Sequence, residues 1–223
     1  MHFRDRLEAG RFLAAKLLRL ADRRDVIVLA LPRGGAPVGY EVARALRAPL
    51  DVFVVRKLGV PGQRELAMGA IASGGIRVLN APVVAALGAG AMAAIERATA
   101  AEMEELRQRE TNYRGDRPFP DLRARTVVLV DDGLATGATM RAAAQAVRLR
   151  QPAALIIAVP VAAASSCRDL ATEADEVICA HTPESFFGVG QFYDDFRQTT
   201  EEEVRRCLAA AAAWTGADEW PND

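Results

Sequence analysis

Residues 127–139 have the sequence VVLVDDGLATGAT, and this stretch decides the fold that we expect for the chain. Its first four residues are aliphatic without interruption, which is typical of a strand buried on both faces of a parallel sheet. Two aspartates follow where the strand ends, then small residues, and a helical pattern runs onward from Thr139. Ligands of open α/β sheets bind beyond the carboxyl ends of the strands, so a site is predicted at Asp131 and Asp132.

The residues after this strand favour a sugar phosphate as the ligand. Adjacent carboxylates are costly to hold together unless a donor or a cation joins them, and ribose hydroxyls or hydrated magnesium meet that need. Small residues let backbone amides approach a ligand, Gly137 permits a positive φ angle, and a helix N-terminus binds phosphate. The alternative is an ordinary strand–turn–helix junction in which the aspartates cap the helix. The contiguous string favours the binding site.

The rest of the pattern predicts an α/β protein with a mostly parallel central sheet flanked by helices. Apolar strands are expected at residues 26–31, 51–55, 126–130, 154–161 and 176–180, with helical segments between them. Such alternation implies parallel pairs joined by right-handed crossovers. We expect a single domain over residues 1–223, in which residues 56–125 form an insertion. This insertion combines a glycine-rich flexible loop, with short segments suited to a hairpin, and a long helix.

Composition and charge exclude several classes of protein. A hydrophobic fraction of 51% with 26% charged residues indicates a compact folded chain. The apolar runs are too short to cross a bilayer and no secretory signal pattern opens the chain, so we expect neither membrane association nor secretion. The net charge of −1 gives no support to nucleic-acid binding. No CxxC spacing occurs among Cys167, Cys179 and Cys207, so we expect neither a disulfide nor a zinc site. The cysteine pattern therefore predicts a reducing, cytoplasmic location.

Other types of site fit the pattern poorly. No GxGxxG follows a predicted strand and no GxxxxGK[ST] is present. A phosphorylation-controlled receiver domain carries its acidic pair on the first strand and a phosphoacceptor aspartate on a later one, whereas the later strand here ends in Val159-Pro160-Val161. His2 and His181 are the only histidines, which leaves a Ser-His-Asp hydrolase or a multi-histidine metal site without partners.

The string VVLVDDGLATGAT closely resembles the signature of type I phosphoribosyltransferases that binds 5-phosphoribosyl 1-pyrophosphate (PRPP). The resemblance implies that Asp131 and Asp132 contact the ribose hydroxyls, and that magnesium binds near them through the substrate. Gly133 is smaller than the aliphatic residue often found at that position. The resemblance also implies a loop that holds the 5-phosphate, formed by Ala135, Thr136, Gly137, Ala138 and Thr139.

Two upstream segments are similar to further parts of the same family. Leu31-Pro32-Arg33-Gly34-Gly35 resembles the pyrophosphate loop, in which glycine amides and the planar donor fork of Arg33 suit an anion. Arg56 and Lys57 follow the second strand, where family members often carry basic residues that contact pyrophosphate. The alternatives are a turn with a surface arginine and a pair of solvated charges. The resemblance gives Arg33 and Lys57, together with the two aspartates, the catalytic roles.

Residues 181–197 form an aromatic loop that resembles the hood of purine phosphoribosyltransferases, and we call it the hood. The resemblance implies a small-molecule nitrogen acceptor, with a purine-like base as the leading candidate, although burial in the core is the alternative for either phenylalanine. It also implies a homodimer. The glycine-rich residues 59–75 are expected to form a lid that excludes water, which otherwise competes as nucleophile. The alternative function is a regulator that senses PRPP or a nucleotide without turnover. The hood residues expected to contact the acceptor are Phe186, Phe187, Val189 and Asp194.

Overall fold

The computed structural model describes residues 1–215, without the side chains of residues 64, 65, 89 and 215. None of the described helices is both long and apolar enough to cross a membrane. Short 3-10 turns lie at Leu18–Leu20, Gly88–Gly90 and Val189–Phe192. The helices and strands are, in chain order, α1 (Arg6–Ala15), β1 (Val26–Ala30), α2 (Gly35–Leu46), β2 (Leu50–Val52), β3 (Val55–Val60), β4 (Gln63–Ala72), β5 (Ile76–Leu79), α3 (Ala81–Leu87), α4 (Ala91–Arg114), β6 (Thr126–Val130), α5 (Ala138–Arg148), β7 (Ala154–Val161), α6 (Ala164–Leu170), β8 (Glu176–His181) and α7 (Glu201–Thr215).

The central sheet has five strands in the order β2-β1-β6-β7-β8, and all of its pairs are parallel. This confirms the predicted α/β class with a parallel sheet flanked by helices. From β1 the chain first adds β2 on one side, and later adds β6, β7 and β8 on the other side. The strand order therefore reverses between β1 and β6, which is where open α/β sheets form a ligand crevice at the carboxyl ends of their strands.

Alternate residues of β1 pack into opposite layers of the domain. Val26, Val28 and Ala30 join the apolar cluster that includes α1, α2 and α7. Ile27 and Leu29 join the cluster that includes α5 and α6. Both faces of the strand are buried, and this is the physical reason why its sequence is continuously apolar instead of alternating.

The stretch that was expected to be an insertion forms a second, antiparallel sheet of three strands in the order β3-β4-β5. The sequence pattern suggested only a hairpin there, from segments that correspond to β4 and β5. The third strand, β3, was missed because its first residue, Val55, continues the apolar run that follows β2 and was assigned to the strand expected at residues 51–55. The small sheet packs against α5 and against the long helix α4, which also contacts α7.

A buried ion pair ties the end of α4 to the central sheet. The Arg114 Nε atom lies 2.9 Å from Asp51 Oδ1, and Arg114 Nη2 donates to the Val52 carbonyl at 2.8 Å and to Ser73 Oγ at 3.2 Å. Arg114 Nη1 also pairs with Glu110 at 2.9 Å. Burial raises the pKa of Asp51, and the Arg114 charge acts in the opposite direction. The pair therefore joins β2, the turn after β4 and α4.

The carboxyl-terminal half contains a disulfide, which packing decided, and a helix cap, which is local. Cys167 of α6 and Cys179 of β8 form a disulfide, with their Cα atoms 6.5 Å apart, so the expectation of no disulfide is wrong. Their separation of 12 residues follows no spacing motif, and the crossover from α6 to β8 brings them together. The final helix starts with a capping box, in which Thr200 N–H donates to Glu203 Oε2 and Glu203 N–H donates to Thr200 Oγ1.

We expect Asp51→Ala to lower the free energy of unfolding by about 3 kcal/mol, because the Arg114 charge would stay buried without its main partner. Urea denaturation measures this loss. The matched control is Arg205→Ala, which removes an exposed pair with Glu202 and should change stability by no more than about 0.5 kcal/mol. A loss for Asp51→Ala as small as that of the control would contradict the structural role of the pair.

Candidate functional site

The register between β1 and β6 places two predicted loops side by side. Ala30 pairs with Val130, so residues 31–35 and residues 131–139 leave the sheet at the same point. The two loops then touch closely. A Cβ atom on Gly34 would lie 2.0 Å from Asp132 Oδ2, and one on Gly35 would lie 2.8 Å from the Val130 carbonyl oxygen. The glycines of the predicted pyrophosphate loop are therefore required by this close approach.

Each carboxylate of the acid pair has one oxygen engaged within the protein. Asp131 Oδ1 accepts a hydrogen bond from the Asp132 backbone N–H at 2.8 Å. Asp132 Oδ2 accepts from Arg6 Nε at 2.8 Å. The second oxygen of each aspartate has no hydrogen-bond partner among the described residues, and neither of these atoms is fully buried. One oxygen from each side chain is thus open to a ligand that can donate.

The environment makes the full charge of this pair costly. Burial raises the pKa of Asp131 well above its usual range, and the neighbouring Asp132 charge raises it further. Burial also raises the pKa of Asp132, while the Arg6 guanidinium acts in the opposite direction. A ligand that donates hydrogen bonds or brings positive charge would stabilise the ionised pair.

Arg6 and Tyr193 belong to the site although the sequence analysis did not assign them to it. Arg6 Nη1 donates to the Arg197 carbonyl at 2.8 Å, and the guanidinium carbon lies 4.1 Å from the centre of the Phe196 ring. The Tyr193 hydroxyl donates to the Asp132 carbonyl at 2.6 Å. An arginine in the first turn of a helix is an ordinary surface residue by its pattern. No local signal in the sequence could have placed Arg6 beside Asp132.

The loop before α5, predicted to hold a phosphate, leaves several hydrogen-bond donors free. Gly137 adopts a φ angle of 71° at the helix N-cap, a conformation that favours glycine. The backbone N–H groups of Thr136, Gly137 and Thr139 have no acceptor among the described residues, and the side chains of Thr136 and Thr139 are exposed. Ser166 Oγ donates to the Ala135 carbonyl, so α6 holds the loop from behind. Amide and hydroxyl donors therefore converge on an open surface.

The predicted basic residues have different environments. The Arg33 guanidinium, in the loop that touches the acid pair, makes no ion pair or side-chain hydrogen bond with any described residue. Lys57 is exposed and also lacks such a partner in the described part of the chain; it lines a cavity of about 470 Å³ between the small sheet and α4. Arg56 instead pairs with Glu102 of α4, with N–O distances of 2.7 and 2.8 Å. Arg33 and Lys57 are thus available to an anion, whereas Arg56 is already neutralised.

The hood separates its two phenylalanines. Phe186 stacks on Phe192 with ring centres 5.7 Å apart, whereas Phe187 is 93% exposed. A Cβ atom on Gly133 would lie 2.6 Å from a methyl group of Val189. Family members often carry an aliphatic residue at the position of Gly133. Here a glycine is needed because a side chain would collide with Val189.

The chain's first residues complete the hood. Phe3 N–H donates to the Phe192 carbonyl, and the N–H of Asp194 donates to the Phe3 carbonyl. The Asp194 carboxylate lies 2.9 Å from His2 Nδ1, with both side chains more than half exposed. The predicted acceptor residue Asp194 is thus paired with the N-terminal segment in this structure.

The profile described as the phosphoribosyl transferase domain matches residues 3–197, which include the acid pair, both loops and the hood. The chain belongs to this family, as a type I member.

Two relatives in this family match most of the chain. A Mycobacterium tuberculosis protein, provisionally named a phosphoribosyl transferase, is 50% identical over 204 residues, or 91% of this chain and 45% of the relative. The chain therefore spans about half the length of the curated relatives that it matches. The crystal structure of TT1426 from Thermus thermophilus has 42% identity and a TM-score of 0.84, and the match covers 97% of this chain and 100% of that one. The predicted type I fold is confirmed.

We expect Asp131→Asn to raise the free energy of unfolding by about 1 kcal/mol near neutral pH, because asparagine keeps the acceptor for the Asp132 N–H without a buried charge. The pKa of Asp131 is raised in the folded state. The wild-type protein therefore loses stability relative to the variant as pH rises through that pKa, and the difference vanishes below about pH 4, where the unfolded aspartate is also protonated.

Chemical denaturation across this pH range measures the effect of Asp131→Asn. Asp169→Asn, at an exposed position of α6, is the control and should stay within about 0.5 kcal/mol of the wild type. Destabilisation by Asp131→Asn, or a gain that does not depend on pH, would show that burial of the Asp131 charge carries no cost.

Proposed function

We propose that the chain transfers the 5-phosphoribosyl group of PRPP to a nitrogen acceptor and releases pyrophosphate. The observation that carries this proposal is the acid pair at the reversal point of the sheet, where each aspartate keeps one open oxygen. The start of α5, with its free amide groups, follows within the same loop. Membership of the type I phosphoribosyltransferase family supports the same activity.

The proposed substrate matches the site group by group. Ribose hydroxyls would donate to the open oxygens of Asp131 and Asp132. The 5-phosphate would accept hydrogen bonds from the amides and hydroxyls of residues 136–139, where the positive end of the helix dipole adds attraction. A sugar phosphate therefore satisfies both the acceptors and the donors that the protein leaves open.

The residues fit magnesium that arrives with the substrate better than a resident metal ion. No group of three or more His, Cys, Asp or Glu side chains among the described residues could hold a metal by itself. Magnesium prefers oxygen ligands and keeps several waters, usually with one or two carboxylates and substrate phosphates. Asp131 and Asp132 would hold it through the ribose hydroxyls, and the ion would supply positive charge to the departing pyrophosphate.

In the proposed reaction, the bond between C1 of the ribose and the pyrophosphate oxygen breaks, and its electron pair leaves with pyrophosphate. A lone pair of the acceptor nitrogen forms the new bond to C1, and the proton of that nitrogen passes to solvent. The transition state has oxocarbenium character, so the protein's main tasks are positioning and neutralisation of the leaving group. Arg33 and the amides of Gly34 and Gly35 would bind pyrophosphate, with Lys57 as a second cation.

The acceptor would bind beneath the hood as a flat nitrogen heterocycle, for which a purine-like base is the leading candidate. Val189 packs against Gly133, which places the hood next to the acid pair. The exposed ring of Phe187 provides a face on which a heterocycle can stack. Phe186 is occupied by its contact with Phe192 and is a part of the hood's own core.

The test is to incubate the protein with PRPP, magnesium and a pool of purines, pyrimidines and small amines, and to follow the pool by mass spectrometry. A new ion equal to one pool member plus a ribose phosphate is expected. The double variant Asp131→Asn/Asp132→Asn should stay folded and lower the rate by about a thousandfold, because it removes the groups that fix the ribose.

Glu104→Gln is the control for the loss of a carboxylate, since Glu104 is exposed on α4, and it should keep the wild-type rate. Full activity in the double variant would sink the assignment of the acid pair. PRPP that binds with magnesium but is never consumed would instead favour the alternative of a non-catalytic sensor. The homodimer, the cytoplasmic location and closure of residues 59–75 over the site stay predictions.

A further inference from the structure

Arg6 is held more firmly than a surface counter-ion. Its side chain is 11% exposed. Three contacts fix the planar guanidinium: Nε to Asp132 Oδ2, Nη1 to the Arg197 carbonyl, and the stack on the Phe196 ring. A rigid fork of donors loses little freedom when each hydrogen bond forms. Arg6 therefore keeps one fixed position relative to the hood and to Asp132.

The Arg6 contact constrains only one side of the Asp132 carboxylate. Oδ2 lies against Gly34, where an added Cβ atom would be 2.0 Å from Oδ2 and 3.3 Å from Arg6 Nε. Oδ2 is thus enclosed by the arginine and the pyrophosphate loop. Because the carboxylate is planar, a fixed Oδ2 also limits where Oδ1 can lie. Oδ1 itself has no partner in the described part of the chain.

The groups around Asp132 show why an arginine is needed there. Asp131 contributes a like charge from the same loop, and the Tyr193 hydroxyl donates to the Asp132 backbone carbonyl, not to its side chain. Gly34 brings no charge. Arg6 is the cation that contacts the Asp132 carboxylate within residues 1–215. Without it, Asp131 would repel a side chain that no other described group holds in place.

We propose that Arg6 is a positioning residue of the PRPP site: it holds Oδ2 of Asp132 against Gly34 and leaves Oδ1 directed to the ribose hydroxyls. This inference rests on the proposed function. It also assigns a role to the contact between α1 and the hood, because Phe196 and the Arg197 carbonyl set the position of Arg6. The amino-terminal helix and the hood would thus act on the sugar site through one side chain.

The experiment compares Arg6→Gln and Arg6→Lys with Arg4→Gln, a neighbouring arginine whose side chain is 68% exposed. Isothermal titration gives the affinity of each folded variant for PRPP with magnesium, and crystal structures without ligand give the position of the Asp132 carboxylate. We expect Arg6→Gln to weaken binding by about tenfold or more, as loss of an orienting partner commonly does. Arg6→Lys should recover part of the affinity because it keeps the charge, and Arg4→Gln should bind like the wild type.

The crystal structures should show the Asp132 carboxylate displaced from Gly34 in Arg6→Gln. Wild-type or tighter affinity in Arg6→Gln, or an unmoved carboxylate, would overturn the inference. Should Arg6→Gln fail to fold, Arg6→Lys decides alone: a partial loss of affinity with a shifted carboxylate supports positioning, and no change refutes it. If the wild-type protein does not bind PRPP, the proposed function fails, and the position of Asp132 in the variants still decides whether Arg6 orients it.

Discussion

The parallel pairing of β1 with β6 is the constraint on which the site depends. These strands are neighbours in the sheet although about a hundred residues separate them in the chain, and the strand order reverses between them. Their register sets residues 31–35 and the acid pair against each other with no room for a side chain at Gly34. A shift of one residue in this pairing would move the two loops relative to each other by about 3.3 Å along the strands, and the close contact at Gly34 would be lost.

Burial of the charged acid pair is unfavourable, and the surrounding hydrogen bonds and the Arg6 charge offset this unfavourable free energy only in part. Burial raises the pKa of both aspartates, and a single arginine and a single backbone amide each engage one oxygen. Several groups at the site have no hydrogen-bond partner among the described residues. The acceptors are the remaining aspartate oxygens, and the donors are the free amides before α5 and the Arg33 guanidinium. Unsatisfied groups of this kind are expected where a protein gives up stability for ligand binding. They are the physical basis for proposing a sugar with two anionic phosphate groups rather than a neutral ligand.

The parts of the site that the sequence predicted are those that depend on contiguous residues. A strand, an acidic pair, a turn with Gly137 and a helix start follow each other within thirteen positions, and local geometry carries them to one place. The residues that were missed or placed differently depend on contacts across the chain. Arg6 meets Asp132 through the packing of α1, Arg56 is neutralised by Glu102 of α4, and the disulfide joins cysteines that follow no motif. Helix periodicity predicts which face of a helix is buried, but not which distant residues pack against that face.

By itself the sequence determined the class of fold, the order of the central strands along the chain and the loop that carries the acid pair and leads into α5, because apolar runs, glycine conformation and helix starts are local properties. Only the tertiary structure decided which loops meet, which oxygens of the aspartates stay open and which cation contacts Asp132. It also decided that Phe186 packs into the hood while Phe187 stays exposed. The physical reason is that hydrogen bonds, ion pairs and close packing act over a few ångströms in space, whatever the separation of the residues in the chain.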